Sequence, residues 1–372
     1  MSRFIRKLHL RNLLSFEDCE VELQDLNVLI GPNGAGKSNL IEAVGLLRSL
    51  PLDLEAYLRQ GGGRAAWVWK GSQTDSAQVE TTLDGGADGE LTHSFQIVAS
   101  AGGLTWEQLA RSSDATPVFL REFDRLKMEG TDPITGYGFP ESVFFRYRLP
   151  SLTSRIGENL ATFRIYREFR TGKNDPVRLG LSVSASHGPR LNESGDNLAA
   201  ILHELDLKDK LDAVRDLLHE INPAFGRVKP RLHEGAWFIQ LAEDGLLDPI
   251  PSQRISDGTL KFLCLAAVLL DPDPPPVVCI EEPETGLHPE ALRVVANLIR
   301  EASSRMQLLI TTHSADLINE LSSTPDAVLV AEKNEHNATT FTRLNPDELE
   351  PWLERYQLGE LLQKGQIGGN RW

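Results

Sequence analysis

Residues 31–38 read Gly31-Pro32-Asn33-Gly34-Ala35-Gly36-Lys37-Ser38. This is the spacing G-x-x-x-x-G-K-[ST] of a loop that cradles phosphate. Its glycines let backbone N–H groups converge on one anion. Lys37 is then placed to reach a nucleotide's β- and γ-phosphates, and the Ser38 hydroxyl to ligate Mg²⁺. Asn39, the next residue, belongs with the same cofactor-binding set. A second cluster lies at residues 277–284, Val277-Val278-Cys279-Ile280-Glu281-Glu282-Pro283-Glu284. An apolar strand parallel to the one before the loop would bring these carboxylates to the same edge of the sheet. There Glu281 can hold the Mg²⁺ shell, and Glu282 can orient and polarise an attacking water. The bland alternatives are a chance glycine-rich turn and a solvated acidic turn.

Two further segments carry chemistry. In Ile255-Ser256-Asp257-Gly258-Thr259-Leu260-Lys261, Ser256 or Asp257 is a natural helix N-cap, and Gly258 permits close backbone approach. That makes a second anion site. His313 follows the apolar run Gln307-Leu308-Leu309-Ile310-Thr311-Thr312, where it can touch a γ-phosphate or the attacking water. A lone histidine after a strand is more often a structural residue; its place in this series favours the functional role.

These side chains need elements to hold them. Residues 21–30 alternate and then run apolar, as a buried strand does, and residues 39–50 carry a helical apolar pattern leaving the loop. A strand, a glycine turn and a helix N-terminus together aim N–H groups and the helix dipole at one anion. Residues 262–270 read as an apolar helix. A tight turn at 285–289 leads into a helix from Glu290. Between residues 62 and 123, alternating runs at 65–69, 77–83 and 91–99, split by Gly, Asp and Ser, predict an antiparallel β arm. Residues 197–205 and 209–221 read as helices of a lobe preceding the Ser256 segment. Residues 347–362 read as a terminal helix, and the tail from Gly365 to Trp372 as a flexible end or a docking tail.

The chain has 372 residues, with 38 Lys and Arg against 53 Asp and Glu, a formal net charge of −15. That length suits one large α/β domain with an insertion, or two domains. The 41% hydrophobic and 24% charged shares exclude collagen-like, disulfide-rich and wholly disordered classes. The acidity argues against coating nucleic acid by bulk charge. Cys19, Cys264 and Cys279 are too scattered for a disulfide framework or thiolate metal site, so a reducing compartment fits. With no bilayer-length apolar run and no signal-peptide pattern at the start, the expected location is cytoplasmic.

Taken in order, the loop at 31–38, the segment 255–261, the acidic strand at 277–282, the turn at 284–289 and His313 resemble the ABC-type ATPase superfamily. The resemblance is to its SMC/RecF/OLD-like branch, and within it to small bacterial AAA-type ATPases without long coiled coil or Toprim domain. The opening Leu8-His9-Leu10-Arg11-Asn12-Leu13-Leu14-Ser15-Phe16 is similar to the strand and turn that begin that branch. The resemblance implies a P-loop NTPase of ABC-ATPase head type: an α/β fold with a central mixed or parallel sheet flanked by helices, an antiparallel β arm and a helical lobe. It implies ATP and Mg²⁺ as cofactors, ATP hydrolysis, and a head-to-tail homodimer in which Ser256, Asp257 and Gly258 of one copy complete the other's ATP site. Residues 1–50 and 235–372 would form the ATPase core lobe, 51–140 the β insertion, and 141–234 a strand plus the helical lobe. The chain departs from the pattern at Asp257 (for glycine), Thr259 (for glutamine), Glu281 (for aspartate) and Leu14 (for arginine). Residues 163–169 stand where a Q-loop glutamine is expected and hold none.

Residues 144–173 mix Arg146, Arg148, Arg155, Arg164, Arg167, Arg170 and Lys173 with Phe144, Phe145, Tyr147, Phe163, Tyr166 and Phe169. That mixture suits phosphate and base contacts, and equally a half-buried element with solvated arginines. The expectation is a DNA-associated ATPase in repair, chromosome maintenance or anti-phage defence. The alternative is an ATP-gated regulatory subunit controlling a separate effector protein such as a nuclease or toxin. A membrane partner is not expected.

Overall fold

The computed structural model describes residues 3–71, 73–136, 141–146, 152–185 and 188–367. Tyr147, Arg148 and the Arg371-Trp372 pair of the tail lie outside the described residues. The chain opens with an antiparallel hairpin, β1 (Ile5–Leu13) and β2 (Phe16–Glu22). β3 (Leu26–Ile30) is buried at every position, as befits a parallel strand covered on both faces. The expected 21–30 strand is thus broken at residues 23–25. α1 (Lys37–Ser49) leaves the loop, α2 (Leu54–Gln60) is capped by Asp53, and α3 (Arg64–Trp67) is a single turn. In the stretch 65–69, residues 65–67 are thus helical rather than a strand, while Val68 is extended and makes an isolated antiparallel bridge with Leu13. The period of that stretch was too short to separate the two forms.

Five antiparallel strands follow: β4 (Ser76–Asp84), β5 (Glu90–Val98), β6 (Trp106–Arg111), β7 (Pro117–Glu122) and β8 (Arg125–Met128). They continue the opening hairpin, because β4 pairs with β1, and the seven strands run in the order β2-β1-β4-β5-β6-β7-β8. The strands within 51–140 therefore share one sheet with residues of the first fifty. Next come α4 (Val143–Arg146), α5 (Leu152–Ala161), β9 (Arg164–Tyr166), α6 (Pro176–Leu179), β10 (Leu181–Ser182), α7 (Leu198–Leu207) and α8 (Leu211–Ile221). A small antiparallel sheet, β11 (Phe225–His233), β12 (Ala236–Glu243) and β13 (Ile250–Pro251), pairs with β10. The rest is α9 (Asp257–Leu269), β14 (Val277–Glu281), α10 (Pro289–Ser303), β15 (Gln307–Thr311), α11 (Ala315–Asn319), β16 (Val328–Lys333), β17 (Thr339–Arg343), α12 (Pro346–Leu353) and α13 (Leu358–Gln363). The terminal helix expected over 347–362 is thus two helices.

The sheet that positions the chemistry has the order β17-β16-β3-β15-β14-β9. Its strands β16, β3, β15, β14 and β9 run parallel. Alternation along these strands splits the core in two. Val28, Ile280 and Ile310 face the helices α7, α9 and α10, while Leu29, Cys279 and Leu309 face α1 and the seven-stranded sheet. All three cysteines are buried and free. No helix among the described residues is long and apolar enough to cross a membrane.

Candidate active site

β3 delivers the chain to the phosphate loop, and the glycines there are required by space as well as by turn geometry. Gly31 has φ +137, and a Cβ on it would sit 2.3 Å from the Ala331 carbonyl oxygen. Gly36 has φ +105, and its Cβ would sit 2.2 Å from Thr339 Oγ1. Both collisions are with β16 and β17, which brace the loop from behind. Thr339 Oγ1 donates to the Ala35 carbonyl at 2.7 Å, and Ser15 Oγ lies 2.7 Å from the same hydroxyl. Asn39 Nδ2 donates to Ser15 Oγ at 2.7 Å, so the Asn39 amide is engaged in this brace. Pro32, Asn33 and Gly34 form the outer rim, with Asn33 and Gly34 exposed. Lys37 is buried, and its Nζ donates to the carbonyls of Gly31 at 2.7 Å and Pro32 at 3.0 Å. Burial pushes its ammonium down to about 8, with Glu282 pulling the other way.

The acidic strand arrives as its apolar pattern predicts. β15 lies between β3 and β14, with Glu281 level with Thr311 and Thr311 level with Leu29. Ser38 Oγ donates to Glu281 Oε2 at 2.8 Å. The other oxygen of Glu281 is 3.2 Å from Arg167 Nε, and Arg167 Nη2 is 2.7 Å from Glu42 Oε1. Glu282 sits in the left-handed region, φ +47, held there by its N–H donating to the Thr311 carbonyl at 2.9 Å. That turn points the strand's end at the loop: Glu282 Oε1 lies 3.8 Å from His313 Nε2. Burial, then the Lys37 charge, hold the His313 imidazole below its ordinary range, against the pull of Glu282. Glu284 organises the turn carrying His313. Its Oε1 accepts from Thr312 Oγ1 at 2.7 Å, the His313 N–H at 3.0 Å and the Ser314 N–H at 3.2 Å.

Ser38, Glu42, Arg167, Glu281 and Glu282 line one cavity of about 420 Å³, with Lys261 on its far wall. No group of three or more His, Cys, Asp and Glu able to hold a metal occurs among the described residues. A serine hydroxyl and one carboxylate fit Mg²⁺, which takes few protein ligands and fills its octahedron with phosphate oxygens and water.

Ser256 caps α9, its Oγ accepting from the Thr259 N–H at 3.1 Å. Asp257 pairs with Arg178, a buried guanidinium that also donates to the carbonyls of Thr171 at 2.6 Å, Ser252 at 3.0 Å and Ile255 at 2.6 Å. The close approach at Gly258 is internal: a Cβ there would sit 2.8 Å from the Gly286 carbonyl oxygen. Ser256, Gly258 and Thr259 line a separate cavity of about 730 Å³ together with His288 and Glu290, and none of residues 31–39 reaches it. Within one chain the loop, Glu281, Glu282 and His313 are brought together, and Ser256–Gly258 are not.

Sequence reasoning passed over Glu42, Tyr57, Arg178 and Thr339, and took Ser15 only as part of the opening turn. Only Glu42 had a local signal, four residues after Ser38 and so on the same helix face. Arg167 was noticed as a basic residue of the 144–173 stretch, yet its partners are Glu281 and Glu42. Four aromatic residues of that stretch, Phe144, Phe163, Tyr166 and Phe169, are buried, while Phe145 is exposed. Arg155 is paired with Asp88 at 2.5 Å.

The profile of a known family, described as "AAA domain, putative AbiEii toxin, Type IV TA system", matches residues 26–319. The chain belongs to this AAA_21 family. Among curated relatives, the DNA double-strand break repair Rad50 ATPase of Sulfurisphaera tokodaii is 30% identical over 169 residues, 41% of this chain and 18% of that protein. The AAA_21 chain thus spans under a fifth of the length of that Rad50 relative. The "ATP/GTP phosphatase" of Helicobacter pylori is 20% identical over 365 residues, 92% of this chain and 93% of that protein. Among solved structures, an SMC head bound to the C-winged helix domain of ScpA superposes with a TM-score of 0.59 at 15% identity, covering 93% of this chain and 99% of that one. The SMC head of Pyrococcus furiosus, bound to the C-terminal domain of ScpA, gives 0.57 at 14%, covering 94% and 98%. The fold of this AAA_21 chain is that of an SMC head, an α/β ABC-type ATPase domain.

Proposed function

We propose that this chain binds ATP with Mg²⁺ in the cavity at Ser38 and Glu281 and hydrolyses it as a head-to-tail pair of subunits. The observation that carries the reading is the convergence of Lys37, Ser38, Glu281, Glu282 and His313 at one sheet edge, while the helix end at Ser256 opens on a different cavity. Lys37 can leave its own loop carbonyls for the β- and γ-phosphates, exchanging weak acceptors for anions. Ser38 and Glu281 would hold Mg²⁺, which supplies charge neutralisation on the phosphates when bound. Glu282, fixed by its strained turn, orients the attacking water and accepts its proton. The neutral imidazole of His313 holds the same water or a γ-oxygen. The exposed α9 N-terminus needs an anion from elsewhere to be useful, and a second copy's ATP supplies one. ATP then holds the pair closed, and its hydrolysis opens it.

The Rad50 relatives support a DNA-associated role in repair or defence. With Phe144, Phe163, Tyr166 and Phe169 buried, contact with DNA would run mainly through exposed cations and be strongly salt-dependent. The family description, which names a toxin system, supports a second reading as an ATP-gated subunit that controls a separate effector. The test is Glu282→Gln: it should retain ATP, hydrolyse it at least 100-fold more slowly by the usual worth of a general base, and accumulate as a dimer in light scattering. A Glu282→Gln chain that stays monomeric with ATP sinks the pairing, and a Lys37→Ala chain that hydrolyses normally sinks the site. ATPase rates with and without DNA ends separate the DNA-associated role from the effector role.

A further inference from the structure

This inference rests on the metal–nucleotide reading above and concerns how metal reaches Glu281. One oxygen of that carboxylate takes the Ser38 hydroxyl at 2.8 Å, and the other faces Arg167 Nε at 3.2 Å. Arg167 is bound on a second side, its Nη2 lying 2.7 Å from Glu42 Oε1. Glu42 is itself fixed by the Tyr57 hydroxyl, which donates to Glu42 Oε2 at 2.6 Å. Space for that hydroxyl comes from a glycine on α1: a Cβ on Gly45 would sit 1.9 Å from it. The guanidinium therefore bridges two carboxylates at the edge of the cavity where a divalent cation would enter, and the second carboxylate is anchored from behind.

We propose that Arg167 is a resident counter-cation that competes with the divalent metal for Glu281, so that metal loading requires the guanidinium to leave Glu281 while Glu42 retains it. A side chain that ligated metal through oxygen would aid loading; a fixed positive charge opposes it. Arginine has five donors and no lone pair to offer a cation. Two carboxylates facing one cavity would attract a divalent ion strongly, and one guanidinium between them cancels part of that attraction. The effect is moderate because the Arg167 side chain is 49% exposed against 17% for Glu281, and solvent screens such pairs. Removing the charge should lower the metal concentration needed for loading by roughly three- to tenfold.

The experiment compares the wild-type chain, Arg167→Met, which removes the charge without adding an oxygen ligand, and Arg167→Lys, with melting curves to confirm folding. Binding of a fluorescent ATP analogue is followed across a Mg²⁺ series, and Mn²⁺ binding without nucleotide by electron paramagnetic resonance. Arg167→Met should shift both metal titrations to lower concentration by roughly three- to tenfold. Arg167→Lys keeps the charge and should stay within about twofold of wild type. An unchanged or raised metal requirement in Arg167→Met overturns the proposal. So does a loss of nucleotide affinity at saturating metal, which would make Arg167 a phosphate ligand. If neither wild type nor Lys37→Ala takes up nucleotide, the ATP reading fails on its own, and the Mn²⁺ titration still decides the role of Arg167.

Discussion

Glu284 offers the sharpest test of how the site is held. One of its oxygens accepts three hydrogen bonds, from Thr312 Oγ1, the His313 N–H and the Ser314 N–H, at 2.7, 3.0 and 3.2 Å. Hydrogen bonds to a charged acceptor are worth about 1.5–3 kcal/mol each. Three sharing one oxygen are not additive, and water can reach the half-exposed His313, while Thr312 is fully buried. Glu284→Ala should therefore cost about 2–4 kcal/mol. If the chain melts as one unit with an entropy of about 2.1 cal/mol/K per residue, about 3 kcal/mol lowers Tm by about 4 °C. The more telling readout is local. Hydrogen exchange should accelerate at the amides of His313 and Ser314 well beyond the change elsewhere. ATP hydrolysis should fall about tenfold or more, as the 3.8 Å spacing between His313 and Glu282 loses its support. Glu284→Gln keeps an acceptor at the same place and should recover most of both. The reasoning is refuted if the alanine variant leaves exchange at 313 and 314 unchanged, or if glutamine is as damaging as alanine.

Two further outcomes are expected. The Lys37 ammonium, held at about 8 by burial, regains its proton affinity on meeting phosphate, so nucleotide affinity should be flat below about pH 7.5 and fall as pH climbs through 8 toward the higher bound-state value; affinity that stays flat to about pH 9.5 contradicts this. Arg178→Met leaves three carbonyls without their donor beside a buried position, while the exposed Asp257 stays solvated, and should cost about 2–4 kcal/mol in urea unfolding, whereas a loss under about 1 kcal/mol means that the Ser256 turn does not depend on that cation.

What could be read from the sequence was what is local. The loop at 31–38, the apolar strand before it and the helix after it are contiguous, so spacing alone specifies their geometry. The carboxylates at the end of β14 were readable because the four apolar residues leading to Glu281 read as a covered strand, and a parallel partner puts its end at the ligand edge. The left-handed backbone of Glu282 was not readable, since it depends on Thr311 in the neighbouring strand. Arg167 meets Glu281 and Glu42 from three separate segments, and no pattern within any one of them announces it. The aromatic residues of 144–173 alternate with arginines in a way that suited stacking on bases; packing against the two cores took Phe144, Phe163, Tyr166 and Phe169 instead. The run at 65–69 was too short for its period to separate strand from helix, and it folded as a helical turn ending at Trp67, followed by an extended Val68 bridged to Leu13.

The brace behind the phosphate loop has a consequence for how the protein is made. Gly31 and Gly36 are fitted against Ala331 and Thr339, about 300 residues further along the chain. At about 5–20 residues per second on a ribosome, the loop exists for about 15–60 s before its backing is synthesised. During that interval the nascent chain carries a complete phosphate-loop sequence without the wall that shapes it. Nucleotide capture is therefore a late event in the life of each molecule, coming only after β16 and β17 have closed behind the loop.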